Sequence, residues 1–129
     1  MVLPHDHHND SVQILEQIPD AEDFRSVASM FRQLSDPVRV RIMWILCHTE
    51  ECVINIAAMV GMSSPAVVHH LKLLREAGLV ESSKRGKEVY YKASANVEAS
   101  AIHKMIEDMM KISCPAMPRL NKGTKSSVK

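Results

Sequence analysis

The sequence predicts a mainly α fold carrying one small β-hairpin, in the order α-α-α-α-β-β-α. Three observations predict it. Apolar residues recur at helical spacing through most of residues 20–113. Two start signals, Asp36-Pro37 and Ser63-Ser64-Pro65, divide that pattern into separate helices. After Gly78 the period drops to two on either side of Arg85-Gly86-Lys87.

Each element has a local cause. Phe24, Val27, Phe31 and Leu34 share a stripe, so about Asp20–Leu34 is a first helix. Asp36 is a carboxylate N-cap, and Pro37 sits in the first turn, where a missing N–H is harmless. Val40, Met43, Trp44, Leu46 and Cys47 make this second helix apolar on most sides, which predicts a central position. A short third helix, about Cys52–Met59, stops at Gly61, a residue suited to the left-handed position after a helix. Ser63 or Ser64 caps a fourth helix that runs to Ala77, with Val67, Leu71 and Leu74 on one face and His69 and Lys72 elsewhere. The strands Leu79–Lys84 and Glu88–Lys92 flank Arg85-Gly86-Lys87, a basic-tipped hairpin. A last helix, about Ala95–Ile112, carries Ala99, Ile102, Met105, Ile106, Met109 and Met110 and ends at Pro115.

Composition narrows the class. With 129 residues the chain fits one domain. Aromatic residues are only 4%, so the core is aliphatic and drawn from Leu, Ile, Val, Ala and nine Met. No apolar run reaches the ~18–20 residues of a membrane span. The start, Met1–His8, is too polar for a signal-peptide core, and three Cys are too few for a disulfide scaffold, so a cytoplasmic protein with no membrane partner is expected. Residues 1–20 form an acidic, His-rich N-terminal arm with a short helix near Ser11–Gln17. Residues 21–115 form the folded domain, and 116–129 a basic, flexible tail.

The net charge of +1 conceals an uneven distribution. Residues 1–36 hold seven acids against Arg25 and Arg32, whereas residues 64–92 hold six bases against Glu76, Glu81 and Glu88. A basic surface of this kind suits phosphate, although solvated faces of either sign are ordinary. A short helix, a Gly turn, a second helix and a basic hairpin together make a winged helix-turn-helix. One helix fills a B-DNA major groove with its first turn at the base edges, and the hairpin lies along the neighbouring backbone or minor groove. The rival is a winged-helix protein-interaction module without specific DNA binding. No enzyme is expected, since there is no phosphate-cradling Gly loop, no nucleophile with a recognisable base and no paired-carboxylate motif.

Three stretches, Leu34-Ser35-Asp36-Pro37-Val38-Arg39-Val40-Arg41-Ile42, Ser63–Val80 and Gly86-Lys87-Glu88-Val89-Tyr90-Tyr91, closely resemble the ArsR/SmtB family of bacterial winged-helix repressors over about residues 22–113. The resemblance implies a homodimer on a palindromic operator in double-stranded DNA, released when a metal ion, metalloid or oxidant is sensed. It implies DNA contacts from Ser64, Pro65, Val68 and His69, with Ser63 and Lys72 beside them and Lys84, Arg85 and Lys87 on the wing. Many members have Gln where Ser64 stands and Ser where Val68 stands, so fewer base hydrogen bonds and more contact with thymine methyls are expected. The first and last helices are expected to form the dimer interface, because they carry more apolar surface than one small domain covers.

At the family's ligand sites the chain keeps few of the donors. The zinc-type site maps to Ala95, Val97, Asp108 and Lys111, of which only Asp108 ligates metal, so that site is absent. The thiolate site maps to Cys52-Val53-Ile54-Asn55, one soft ligand where several are needed. Arm residues His5, His7 and His8 would complete a Cys52 site for Zn²⁺ or another thiophilic ion. The thiols Cys47, Cys52 and Cys114 offer the alternative of oxidant sensing with no cofactor. His103 and Glu107, four apart, are placed to share a ligand but also read as an ordinary surface pair.

Overall fold

The computed structural model describes residues 2–5 and 10–113. The order is α1 (Asp10–Gln17), α2 (Ala21–Gln33), α3 (Pro37–His48), β1 (Glu51–Cys52), α4 (Val53–Val60), α5 (Ser64–Glu76), β2 (Val80–Arg85), β3 (Glu88–Ala93) and α6 (Val97–Ser113). Cys114, Pro115 and the tail 116–129 lie outside the described residues, as do His7 and His8.

The helix boundaries follow capping chemistry. Asp36 has an extended backbone, and its carboxylate accepts the Arg39 N–H at 3.0 Å. Ser63 Oγ accepts the Ala66 N–H at 3.3 Å and starts α5 in the same way. Gly61 closes α4 with φ 67, a left-handed conformation that a Cβ would strain. Asn96 starts α6: its Oδ1 accepts the Ala99 N–H at 2.8 Å while its Nδ2 donates to the Gly78 carbonyl at 2.9 Å. One side chain therefore ties the start of α6 to the turn after α5.

Two expectations are corrected. Where the sequence predicts Cys52 as the first residue of the third helix, Glu51–Cys52 is a strand whose residues pair with Tyr91 and Tyr90. The sheet is accordingly three-stranded, in the order β1-β3-β2. Where the sequence predicts Arg85 in the hairpin turn, Arg85 belongs to β2 and faces Glu88. The turn is the two residues Gly86-Lys87, with φ 62 at Gly86, because a two-residue loop matches the twist of the paired strands.

The core is aliphatic, as the composition requires. Ile42 and Met43 of α3, Ile56 of α4, Val67, Leu71 and Leu74 of α5, and Leu79 are fully buried. Ala99, Ile102 and Ile106 close it from α6. Each fully buried aliphatic side chain contributes about 1.5–3 kcal/mol, so α5 is held by one stripe while its opposite face stays in solvent. By contrast, Phe24, Val27 and Phe31 of α2 are 54%, 49% and 55% exposed, and Met109 and Met110 of α6 are also exposed.

Candidate nucleic-acid interface

The helix-turn-helix is α4, Gly61 and α5. The Met62 N–H returns to the Ala57 carbonyl at 3.1 Å, so the chain reverses within three residues and α5 leaves at a fixed angle. With Val67, Leu71 and Leu74 inward, the 3.6-residue period turns Pro65, Val68, His69 and Lys72 to the opposite side, where all four are exposed. Ser63 is exposed and Ser64 half-buried at the N-terminal end of that face.

Ion pairing sorts the six bases of residues 64–92. Arg75 donates to Ser82 Oγ at 3.4 Å and joins α5 to the wing. Lys92 stands 3.7 Å from Glu81, its cross-strand partner. Arg85 donates to Glu50 Oε1 at 2.6 Å and lies over the Tyr90 ring, 4.7 Å from its centroid. Arg85 therefore braces the wing against the link between α3 and β1. Lys72, Lys84 and Lys87 are exposed, and among the described residues they form no ion pair.

Arg39 fixes how α5 is seated. Its Nε donates to the Gln33 carbonyl at 2.6 Å, and its Nη1 lies 3.1 Å from His70 Nδ1. The ends of α2 and α3 and the middle of α5 thus meet at one guanidinium. The donor lies on Arg39, so His70 is a neutral ring with its proton on Nε2. Burial lowers the His70 pKa from its ordinary 6.5, with Arg39 and His69 pushing the same way and Asp36 opposing. Asp36 is lowered from 3.8, chiefly by the Arg39 N–H.

Both shifts act in one direction. The unfolded chain takes up a proton at position 70 as pH falls through about 6.5 while the folded chain resists, so that stability is complete above this pH and declines below it. The Asp36 contribution is lost at still lower pH. Thermal melts across a pH series are expected to show Tm falling as pH drops below 6.5. His70→Gln is expected to remove the upper part of that fall, and an unchanged profile would contradict the assignment.

Among the described residues, Cys47, Cys52 and His5 belong to no group of three metal donors. Cys52 is 6% exposed, at the cap of α4 and within β1. His5 is exposed. Burial first, and Glu107 second, push the half-buried Cys47 thiol up to about 11. Such a thiol is almost wholly protonated at neutral pH and a poor nucleophile. At the zinc-type positions, Ala95 and Val97 are exposed without donor atoms, and Asp108 accepts from Lys104 Nζ at 2.9 Å, so the donor set does not suit a metal. His103 and Glu107 do stand together, but with a third residue that the helix period does not reveal, His48 at the end of α3. Nothing local in the sequence points to it, since it lies 55 residues from His103.

A family model described as bacterial regulatory protein, arsR family, matches residues 36–82, from the Asp36 cap to the first residues of β2. The cadmium resistance transcriptional regulatory protein CadC of Listeria innocua is 39% identical over 85 residues, 65% of this chain and 71% of that one. The chain belongs to the ArsR family. Another relative, a transcriptional repressor SmtB homolog from Synechocystis sp., is 34% identical over 84 residues, which cover 65% of this chain and 64% of that protein. Among solved structures, a homodimeric winged helix-turn-helix DNA-binding domain from Mycobacterium bovis, a possible ArsR-family regulator, superposes with TM-score 0.66 at 23% identity, covering 78% of this chain and 93% of that one. The family-model match spans α3 to the start of β2, so it carries the ArsR helix-turn-helix itself. The wing tip and all of α6 lie beyond it.

Proposed function

We propose that this ArsR-family chain is a transcriptional repressor that binds a palindromic operator as a homodimer and leaves it when a metal ion binds. The observation that carries the reading is the solvent face of α5, where Pro65, Val68, His69 and Lys72 stand opposite a fully buried stripe. Ser63, Ser64 and Pro65 would meet the backbone and base edges with the first turn of the helix, and Val68 and His69 would read bases. Lys84 and Lys87 would hold phosphates from the wing, with Arg85 bracing it.

A second copy is the occupant that suits the apolar faces of α2 and α6. Phe24, Val27 and Phe31 are about half exposed there, and the similar domain from Mycobacterium bovis is homodimeric. Metal is favoured over oxidant as inducer, because the similar CadC protein of Listeria innocua is a cadmium resistance transcriptional regulatory protein. The chain would work in the cytoplasm, where the operator is, with no enzymatic step.

Gel shifts with genomic fragments across a salt series test the reading. A dimeric repressor keeps a sequence preference as salt rises, because base contacts do not depend on counterion release. Binding that disappears equally on all fragments would instead mark an interaction module, and a chain that sediments as a monomer would remove the dimer.

A further inference from the structure

We propose that His48, His103 and Glu107 form a binding site for a divalent transition cation of the zinc class, held between α3 and α6. His103 and Glu107 are four apart on α6 and face one side. Packing of α6 against α3 brings them to His48, the last residue of α3. One ligand atom from each of the three lies within 4.8 Å of the other two.

The geometry suits an ion. His48 Nε2 and His103 Nε2 are 3.1 Å apart, with the rings edge-on at 89°. A tetrahedral zinc with nitrogens at ~2.0–2.1 Å sets two such nitrogens about 3.4 Å apart, so a shift of a few tenths of an ångström admits the ion. Two imidazoles and one carboxylate are the donors that zinc, cobalt and nickel accept, and three protein ligands leave a position for water. The Trp44 indole N–H donates to Glu107 Oε2 at 2.8 Å and fixes the carboxylate, as outer hydrogen bonds do at metal centres. The Trp44 ring lies 4.2 Å from that of His48, so both contacts place it beside the bound ion. His103 and Glu107 are half-buried and His48 exposed, which leaves an entry path.

This placement gives the cation a consequence, which rests on the repressor reading. The ion would clamp the end of α3, the helix on which Arg39 seats α5, to α6, whose exposed Met109 and Met110 belong to the proposed dimer face. Its binding would therefore act on how the two α5 helices are presented to DNA.

The test is titration of the full-length, tag-free protein with Co²⁺, read by visible absorption and by the fluorescence of Trp44, the chain's single tryptophan. The expected result is one Co²⁺ per chain, ligand-field bands without a thiolate charge-transfer band, and quenched Trp44 emission. His48→Ala and Glu107→Gln are expected to abolish tight binding. Trp44→Phe is expected to weaken it about 10–100-fold, and Cys52→Ser and Cys47→Ser to leave it unchanged. Glu107→Gln preserves an acceptor for Trp44, and exposed His48 tolerates alanine, so loss of binding in both is not a folding defect. Absence of stoichiometric uptake by the parent protein, uptake unaltered by His48→Ala and His103→Ala, or a thiolate band lost in Cys52→Ser would each overturn the site. A gel shift without metal separates the two readings. Cobalt uptake by a chain that binds no DNA supports the site and overturns the repressor, whereas specific DNA binding without cobalt uptake does the reverse.

Discussion

Replacing Leu71 with alanine is expected to remove about 2–5 kcal/mol of folding stability. Leu71 has no solvent exposure and lies in the centre of the α5 stripe, between Val67 and Leu74, within the same cluster as Ile42 and Ile56. The substitution deletes three carbons from a site enclosed on every side, so the lost transfer energy and the residual cavity both count. A domain of this size has only about 5–15 kcal/mol in total, which makes the variant marginal. Urea unfolding checks it: the midpoint should fall with an unchanged slope, since the surface exposed on unfolding is nearly the same. His69→Ala, on the opposite face of the same helix, should leave the midpoint in place. If the two variants unfold alike, α5 is not anchored on one side as described.

The second large effect is expected in DNA affinity. Lys72, Lys84 and Lys87 lie on the solvent face of α5 and on the wing, and they form no ion pair among the described residues. Changing all three to alanine is expected to weaken binding to every duplex. The plot of log affinity against log salt should flatten by about 0.9 for each phosphate that is no longer neutralised. Arg85→Ala should change that slope less, because its guanidinium is engaged with Glu50 and Tyr90. Its removal should instead loosen the wing. Fluorescence anisotropy over a salt series distinguishes the variants, and an unchanged slope in the triple variant would take these lysines off the DNA surface.

Much of the fold was legible because its signals are local. Asp36, Ser63 and Gly61 act on backbone groups within three or four residues of themselves, so their chemistry can be read without knowing what packs where. The inward stripe of α5 was legible for the same reason, and with it the exposed face that bears Val68, His69 and Lys72. Long-range features were not. Strand β1 has two residues, too few for an alternating pattern, and its partners Tyr90 and Tyr91 are far along the chain. The pairing of Arg85 with Glu50, 35 residues away, was equally hidden and changes the residue from a free cation to a brace. The pair His103 and Glu107 could be seen on the helix period, but His48 joins them only through the packing of α3 on α6.

The short strand β1 also bears on how copies of the chain meet at high concentration. It covers the outer side of β3 at Tyr90 and Tyr91, leaving β2 along the other rim. That rim is Glu81-Ser82-Ser83-Lys84-Arg85, solvent-exposed and rich in charge. Desolvating such a row against an identical row is unfavourable, so intermolecular strand pairing and the aggregation it seeds are discouraged. The proposed dimer faces of α2 and α6 therefore meet no competition from this rim.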